Sequence, residues 1–382
     1  MRIALFSHAY VPHPGGVEIV VQNLARELSR GHEVVIVSTS WQDLRGVSRE
    51  GAVEIHRLPA LHFTERFGVP YPLPFGPGVR EALRAVAGCD VLHVHGALYP
   101  GSVAAAAMSA ARDIPMLLTE HVGLIDYGNV ALNGAQRLAW AAIGDPVVRR
   151  AAALTTVGER VAVWMRERYP GRAVHLVPNG VDCARFRPLG LREREEAREA
   201  LALPGARTLG LFVGRHTRKK NLPAVLRIPR GHFDLVLCGE RSAVQGERLM
   251  DLGFIPYDQM PRLYGCADLL IHAGNANGSP LAVQEALACG LPVVLLWNAH
   301  YAAMIDRQVV RACDSLEELE DAAMLLASDP AARAELSARG REFAERSWSW
   351  KTTAAAYLDL YRHPLGDATR RSAQGREGGR AA

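Results

Sequence analysis

At the start of the chain, an apolar run from Ile3 to Ser7 leads into a Pro/Gly-rich loop, VPHPGG. Apolar residues then recur at Val17, Val20, Val21, Leu24 and Leu28, which is helical spacing. Gly31-His32 closes that helix, and the β-branched run EVVIVST reads as a strand buried on both faces. Strand, loop, helix, turn and strand make a βαβ unit, whose crossover forces its strands to be parallel. This pattern restricts the chain to layered α/β architectures.

The unit recurs. DVLHVH (90–95) and PMLLTEH (115–121) read as strands around an Ala-rich helix from Ser102 to Arg112, and ALTTVG (153–158) and AVHLVPN (173–179) follow further helical stretches. After the charged helix LREREEAREAL, a second series begins with TLGLFVGR (208–215) and continues through FDLVLCG (233–239), DLLIHAG (268–274) and LPVVLLW (291–297). The helix LAVQEALACG (281–290) lies between the last two. The expected fold is α/β, two Rossmann-like domains facing across a central cleft, where ligands bind at the carboxyl ends of such sheets. Expected boundaries are 1–185 and 186–345, a terminal helix over 346–365, and a disordered tail over 366–382, which is rich in Gly, Ala and Arg without apolar anchors.

Composition removes other classes. With 382 residues, 49% apolar and 22% charged, the chain suits a soluble globular protein with sizeable cores. The net charge of +4 is small for this length, and no basic run interleaves with aromatics, so no nucleic-acid partner is expected. The 6 cysteines include no C-x-x-C pair and read as free thiols of a reducing compartment. No apolar run is long enough to span a bilayer, and the expected location is cytoplasmic.

Four places carry chemistry. Gly15-Gly16 precedes a helix, where backbone N–H groups can approach an anion; an ordinary strand-to-helix turn is the alternative. In VGRHTRKKN, Arg215 and Lys220 follow a buried strand, and Lys219, Lys220 and Lys351 are the only lysines of the chain. Arg binds a diphosphate through paired hydrogen bonds and Lys as a point charge, against the alternative of a solvated basic loop. In NGSPLAVQEALACGLPVV, Ser279 and Pro280 suit N-cap and first helical position, and Glu285 can accept two hydroxyls of a ribose or hexose. His121 ends the strand MLLTEH at the expected cleft, where it could contact a sugar, although a lone His is more often structural. His93, inside DVLHVH, reads as packing. D-x-D, H-E-x-x-H and G-x-S-x-G are all absent from the sequence.

Together, Gly15-Gly16, DVLHVHG, TEH, VPNGVD (177–182), VGR with Lys220, QEALACGLPVV and SWSW…Y (347–357) resemble the retaining nucleotide-sugar glycosyltransferases of family 4, with the GT-B fold. The resemblance covers nearly the whole chain. It implies that Arg215 and Lys220 bind the donor diphosphate, helped by Gly16 and by backbone N–H groups near Leu281 and Ala282. Glu285 would bind the donor ribose, and His121 and position 277 would serve the transferred sugar. It also implies front-face transfer without a metal or further cofactor, a nucleotide sugar as donor, and a glycan or lipid-linked acceptor. Many such enzymes work at the inner membrane face, which leaves peripheral membrane contact open, although no basic amphipathic helix stands out. The family's paired glutamates stand eight residues apart, and this chain has Asn277 where the first would fall. The stretch between Lys220 and Phe233 is also short for the helix expected there. A non-catalytic nucleotide-sugar-binding protein and a sugar-nucleotide epimerase remain the alternatives, the first motivated by Asn277.

Overall fold

The computed structural model describes residues 1–13, 15–61, 72–125, 128–214, 216, 220–241, 244, 246–274 and 281–362. The chain forms two compact units, one of residues 1–178 with the helix over 350–362, the other Asn179–Ser349. The division thus falls after 178 and 349, where the sequence reading placed it at 185 and 345. The expected tail, 366–382, lies outside the described residues.

Among the described residues, the first unit is built on an 8-stranded sheet. Its spatial order is Val174–Leu176, Ala153–Thr156, Met116–Glu120, Val91–His95, Arg2–Phe6, Glu33–Thr39, Val53–Leu58 and Gly46–Glu50. All neighbours pair in parallel except the last two. Parallel strands covered on both faces need apolar side chains on both, and Ile3, Ala4, Leu5 and Phe6 are all buried. Burying one such Val, Leu, Ile or Phe side chain stabilises by about 1.5–3 kcal/mol. The chain runs outward from Arg2–Phe6 on one side and then reverses to Val91–His95 on the other. That reversal is a topological switch point, where α/β sheets place their ligands.

The second unit repeats the plan with a 6-stranded parallel sheet. Its order is Leu249–Asp251, Asp234–Gly239, Leu209–Gly214, Leu269–His272, Val293–Leu296 and Arg311–Cys313. Its switch point lies between Leu209–Gly214 and Leu269–His272. The helix after Lys220 is only Leu222–Arg227, in keeping with the short stretch available. Charge docks the helix Leu191–Ala200: Arg194 and Arg198, one turn apart, donate to the two oxygens of Asp268 at 2.6 and 2.8 Å.

The final helix belongs to the first unit through specific contacts. The Thr353 hydroxyl donates to the Pro178 carbonyl at 3.1 Å, and the Tyr361 hydroxyl is 2.7 Å from His93 Nδ1. Thr119 Oγ1 takes the other His93 nitrogen at 2.7 Å, so His93 is a packed and fully hydrogen-bonded core residue. The cysteines are all free, and each is buried except the half-buried Cys183. No helix among the described residues is long and apolar enough to cross a membrane.

Candidate functional site

In the first unit, the loop after Arg2–Phe6 delivers Gly16 as the first residue of a helix reaching Leu28. The anion at that helix N-terminus is the chain's own. Glu18 is buried, its carboxylate 2.6 Å from His13 Nδ1 and 3.7 Å from His8 Nε2. Burial alone would raise its pKa, but the His13 hydrogen bond, the charge on His8 and its own backbone N–H hold it below the usual carboxylate range. Gly15 is extended, so its glycine is required by space and not by backbone strain. A Cβ there would lie 2.1 Å from Glu18 Oε2. Gly15→Ala should therefore expel the carboxylate from its histidine partners and destabilise by about 1–3 kcal/mol, the scale of overpacking. Thermal unfolding reads this directly. In a Glu18→Ala background the same substitution should cost little, because the clash partner is gone.

His121 follows the strand Met116–Glu120, and the preceding residue fixes the turn that carries it. The buried Glu120 carboxylate accepts backbone N–H groups of Ala97 at 3.0 Å and of Val122 and Gly123 at 3.3 Å each. His121 Nε2 lies 2.9 Å from His95 Nδ1. Burial pushes the His121 pKa down to about 4, with His8 lowering it further and Glu18 opposing, so the ring is neutral at neutral pH. His8 stacks on Tyr99 with ring centroids 4.1 Å apart. The sequence reading singled out Gly16 and His121 but not Glu18, Glu120 or His95. The clue it passed over was a run of polar residues, His95 and Glu120 among them, at the ends of otherwise apolar strands.

The second unit gathers Lys220, His272 and Glu285 at the carboxyl ends of its central strands. Gly214 ends its strand at φ +153, and the Lys220 stem packs over it, with carbons 3.1 to 3.2 Å from where a Cβ would stand. Glycine there lets the lysine lie against the strand end. His272 closes the neighbouring strand; burial lowers its pKa to about 3, and the Lys220 charge pushes the same way. Glu285 lies on the helix Leu281–Ala288, whose first residues are Leu281 and Ala282.

Glu285 is buried beneath two tyrosines. The Tyr264 hydroxyl donates to its Oε2 at 2.9 Å, and Tyr257 adds a second hydrogen bond. Burial raises its pKa to about 7, while the tyrosine hydrogen bonds and the charges of Arg185 and Lys220 pull the other way. A buried carboxylate poised near neutrality beside a cation is typical of a functional site. The neighbouring Gln284 amide donates to the Asn179 carbonyl at 2.8 Å, which fixes the helix against the segment VPNGVD. Arg215, Asn277, Ser279 and Pro280 lie outside the described residues. His272 and Tyr264 were missed from the sequence, where each sits in an apolar stretch with no motif to mark it.

Comparison with known proteins agrees with this double plan. The family description Glycosyltransferase Family 4 matches residues 14–185, and Glycosyl transferases group 1 matches residues 193–343. A D-inositol 3-phosphate glycosyltransferase of Saccharomonospora viridis is 29% identical, covering 92% of this chain and 90% of its own. A GDP-mannose-dependent alpha-mannosyltransferase of Mycobacterium tuberculosis is 25% identical over 77% of this chain and 78% of its own. Among solved structures, sucrose-phosphate synthase from Thermosynechococcus elongatus matches with a TM-score of 0.74 at 20% identity, over 96% of this chain and 99% of that one. The chain therefore belongs to the glycosyltransferases that join a family 4 domain to a group 1 domain on the GT-B fold.

Proposed function

We propose that this glycosyltransferase moves a sugar from a nucleoside-diphosphate donor to a hydroxyl of a glycan or lipid-linked acceptor, with retention at the anomeric carbon. The observation that supports it most is that Lys220, packed over the end of one switch-point strand, acts through its charge on the buried carboxylate Glu285. A diphosphate needs a cation, a ribose needs an acceptor for its hydroxyls, and this unit supplies both beside a helix N-terminus. Lys220 and Arg215 take the diphosphate together with the N–H groups of Leu281 and Ala282, and Glu285 takes the ribose. His121 contacts the transferred sugar. Asn277 contacts that sugar in place of the family's glutamate.

In this reading the bond from the anomeric carbon to the diphosphate oxygen breaks as the acceptor oxygen bonds on the same face. The acceptor proton passes to the departing phosphate oxygen. Catalysis then rests on positioning and on stabilising the leaving diphosphate by fixed charges and N–H groups. Those charges are protein groups, and the sequence lacks a D-x-D pair, so no metal ion or further cofactor is required. Peripheral membrane contact would follow if the acceptor is lipid-linked.

A thermal-shift screen of nucleotides and nucleotide sugars tests the proposal, because a ligand bound only by the folded state stabilises it by about 2.7 kcal/mol at a hundredfold excess over Kd. One nucleoside diphosphate and its sugar conjugate should stabilise the protein equally with and without EDTA. Stabilisation that requires magnesium or manganese would contradict the metal-free phosphate site.

A further inference from the structure

We propose that His95 positions His121, donating its Nδ1–H to His121 Nε2 and leaving the His121 proton on Nδ1 as the donor offered to the bound sugar. The role of His121 at the sugar rests on the function proposed above; the pairing of the two rings does not. His95 is 1% exposed, and its Nδ1 lies 2.9 Å from His121 Nε2. Its other nitrogen, Nε2, is buried with no hydrogen-bond partner among the described residues.

A neutral imidazole carries one N–H and one lone pair, so the pair has two arrangements. In the first, His95 donates from Nδ1, and its orphaned Nε2 is a bare lone pair. In the second, His121 donates, and His95 must bury an unpaired N–H. Both leave one polar site unmet, but orphaned buried donors are the rarer of the two in native proteins. The first arrangement is therefore favoured. Burial holds both rings neutral, which leaves each with a single proton to place.

The register of the sheet makes the pairing. His95 stands opposite Thr119 on the adjacent parallel strand, and His121 comes two residues later on the same side. His93, two residues before His95, packs against it with ring centroids 4.3 Å apart and is itself fixed by Thr119 and Tyr361. His95 thus has a rigid neighbour behind it and His121 ahead. With Nε2 of His121 turned to His95, Nδ1 is the one ring nitrogen left for a ligand. Carrying the proton, it presents a donor to a sugar oxygen, and the second nitrogen of one ring sets the chemistry of the other.

The test uses the full chain with 15N-labelled histidine. Long-range nitrogen–proton correlation spectra, with the His121 signals identified by their loss in His121→Ala, should show the Nδ1–H tautomer at His121. An Nε2–H tautomer there overturns the proposal, whatever the turnover. His95→Leu should lower kcat by about tenfold, the worth of one hydrogen bond, with donor KM changed far less. His95→Asn, whose amide can donate from the place of Nδ1, should return kcat to within about threefold of wild type, a residual below the scale of a full hydrogen bond. Full activity in His95→Leu would also overturn the positioning role. If the tautomer is as expected but His121→Ala turns over normally, the sugar contact of His121 fails and the ring pairing stands.

Discussion

Lys220→Ala should weaken binding of the nucleoside diphosphate by about tenfold to a hundredfold or more. The magnitude follows from the loss of a charge-assisted hydrogen bond, worth roughly 1.5–3 kcal/mol. The structure adds a control. The Lys220 stem covers Gly214, so truncation to Ala removes packing along with charge. Lys220→Met keeps most of the stem and should show the same loss of affinity with less loss of stability. Arg215→Ala should act in the same direction, as the paired cation of the loop. Calorimetric titration of each variant decides the matter, and unchanged affinity in both Lys220→Met and Arg215→Ala would remove the diphosphate from this loop.

Glu285→Ala should cost more than Asn277→Ala. Loss of Asn277 removes a neutral hydrogen bond to the sugar and should lower kcat/KM by about 1 kcal/mol. Loss of Glu285 removes a charged acceptor and leaves Tyr264 and Tyr257 without theirs. The ionisation of Glu285 gives this prediction a pH signature. Its pKa is raised by burial from 4.5 to about 7. Ribose hydroxyls donate best to the ionised form, so donor affinity should rise with pH through about 7. Stability should move the opposite way. A raised native pKa means the folded state holds a proton the unfolded chain releases, so this contribution is present below pH 4.5 and is lost as pH climbs through about 7. Tyr264→Phe removes a donor to the carboxylate, disfavours its charge, and should shift the affinity profile to higher pH. Titrations across pH with wild type and Tyr264→Phe check both signs. A profile that moves to lower pH would mean Tyr264 does not hold the ionised form.

Much of this architecture is legible in sequence because parallel strands buried on both faces leave near-continuous apolar runs. EVVIVST, DVLHVH and FDLVLCG are strands in the structure, most such runs being slightly shorter at their ends. The edge strand Gly46–Glu50 was invisible for the opposite reason. It is exposed along almost its whole length and is held by antiparallel backbone pairing to Val53–Leu58, which demands no side-chain pattern. The loop lysine and Glu285 stood out because each departs from its surroundings, a lysine in an arginine-using chain and a carboxylate in an apolar helix. Their supports did not. Tyr264 lies on the helix Met260–Cys266 and meets Glu285 only through packing of one helix on another. His95 and His121 meet through sheet register, and Glu18 folds back on Gly15 only because His8 and His13 converge there. Partners of this kind depend on tertiary geometry, to which periodicity and spacing are blind.

A nucleoside-diphosphate sugar should be consumed with its anomeric configuration kept. The most direct measurement is proton NMR of the reaction in excess EDTA, using the donor that best stabilises the protein and a panel of acceptor alcohols and glycans. The anomeric coupling of the first-formed product is read before it can equilibrate. Turnover in EDTA and a product of the same anomeric configuration as the donor are expected. An inverted product, or turnover that appears only when magnesium or manganese is restored, would contradict the proposed reaction.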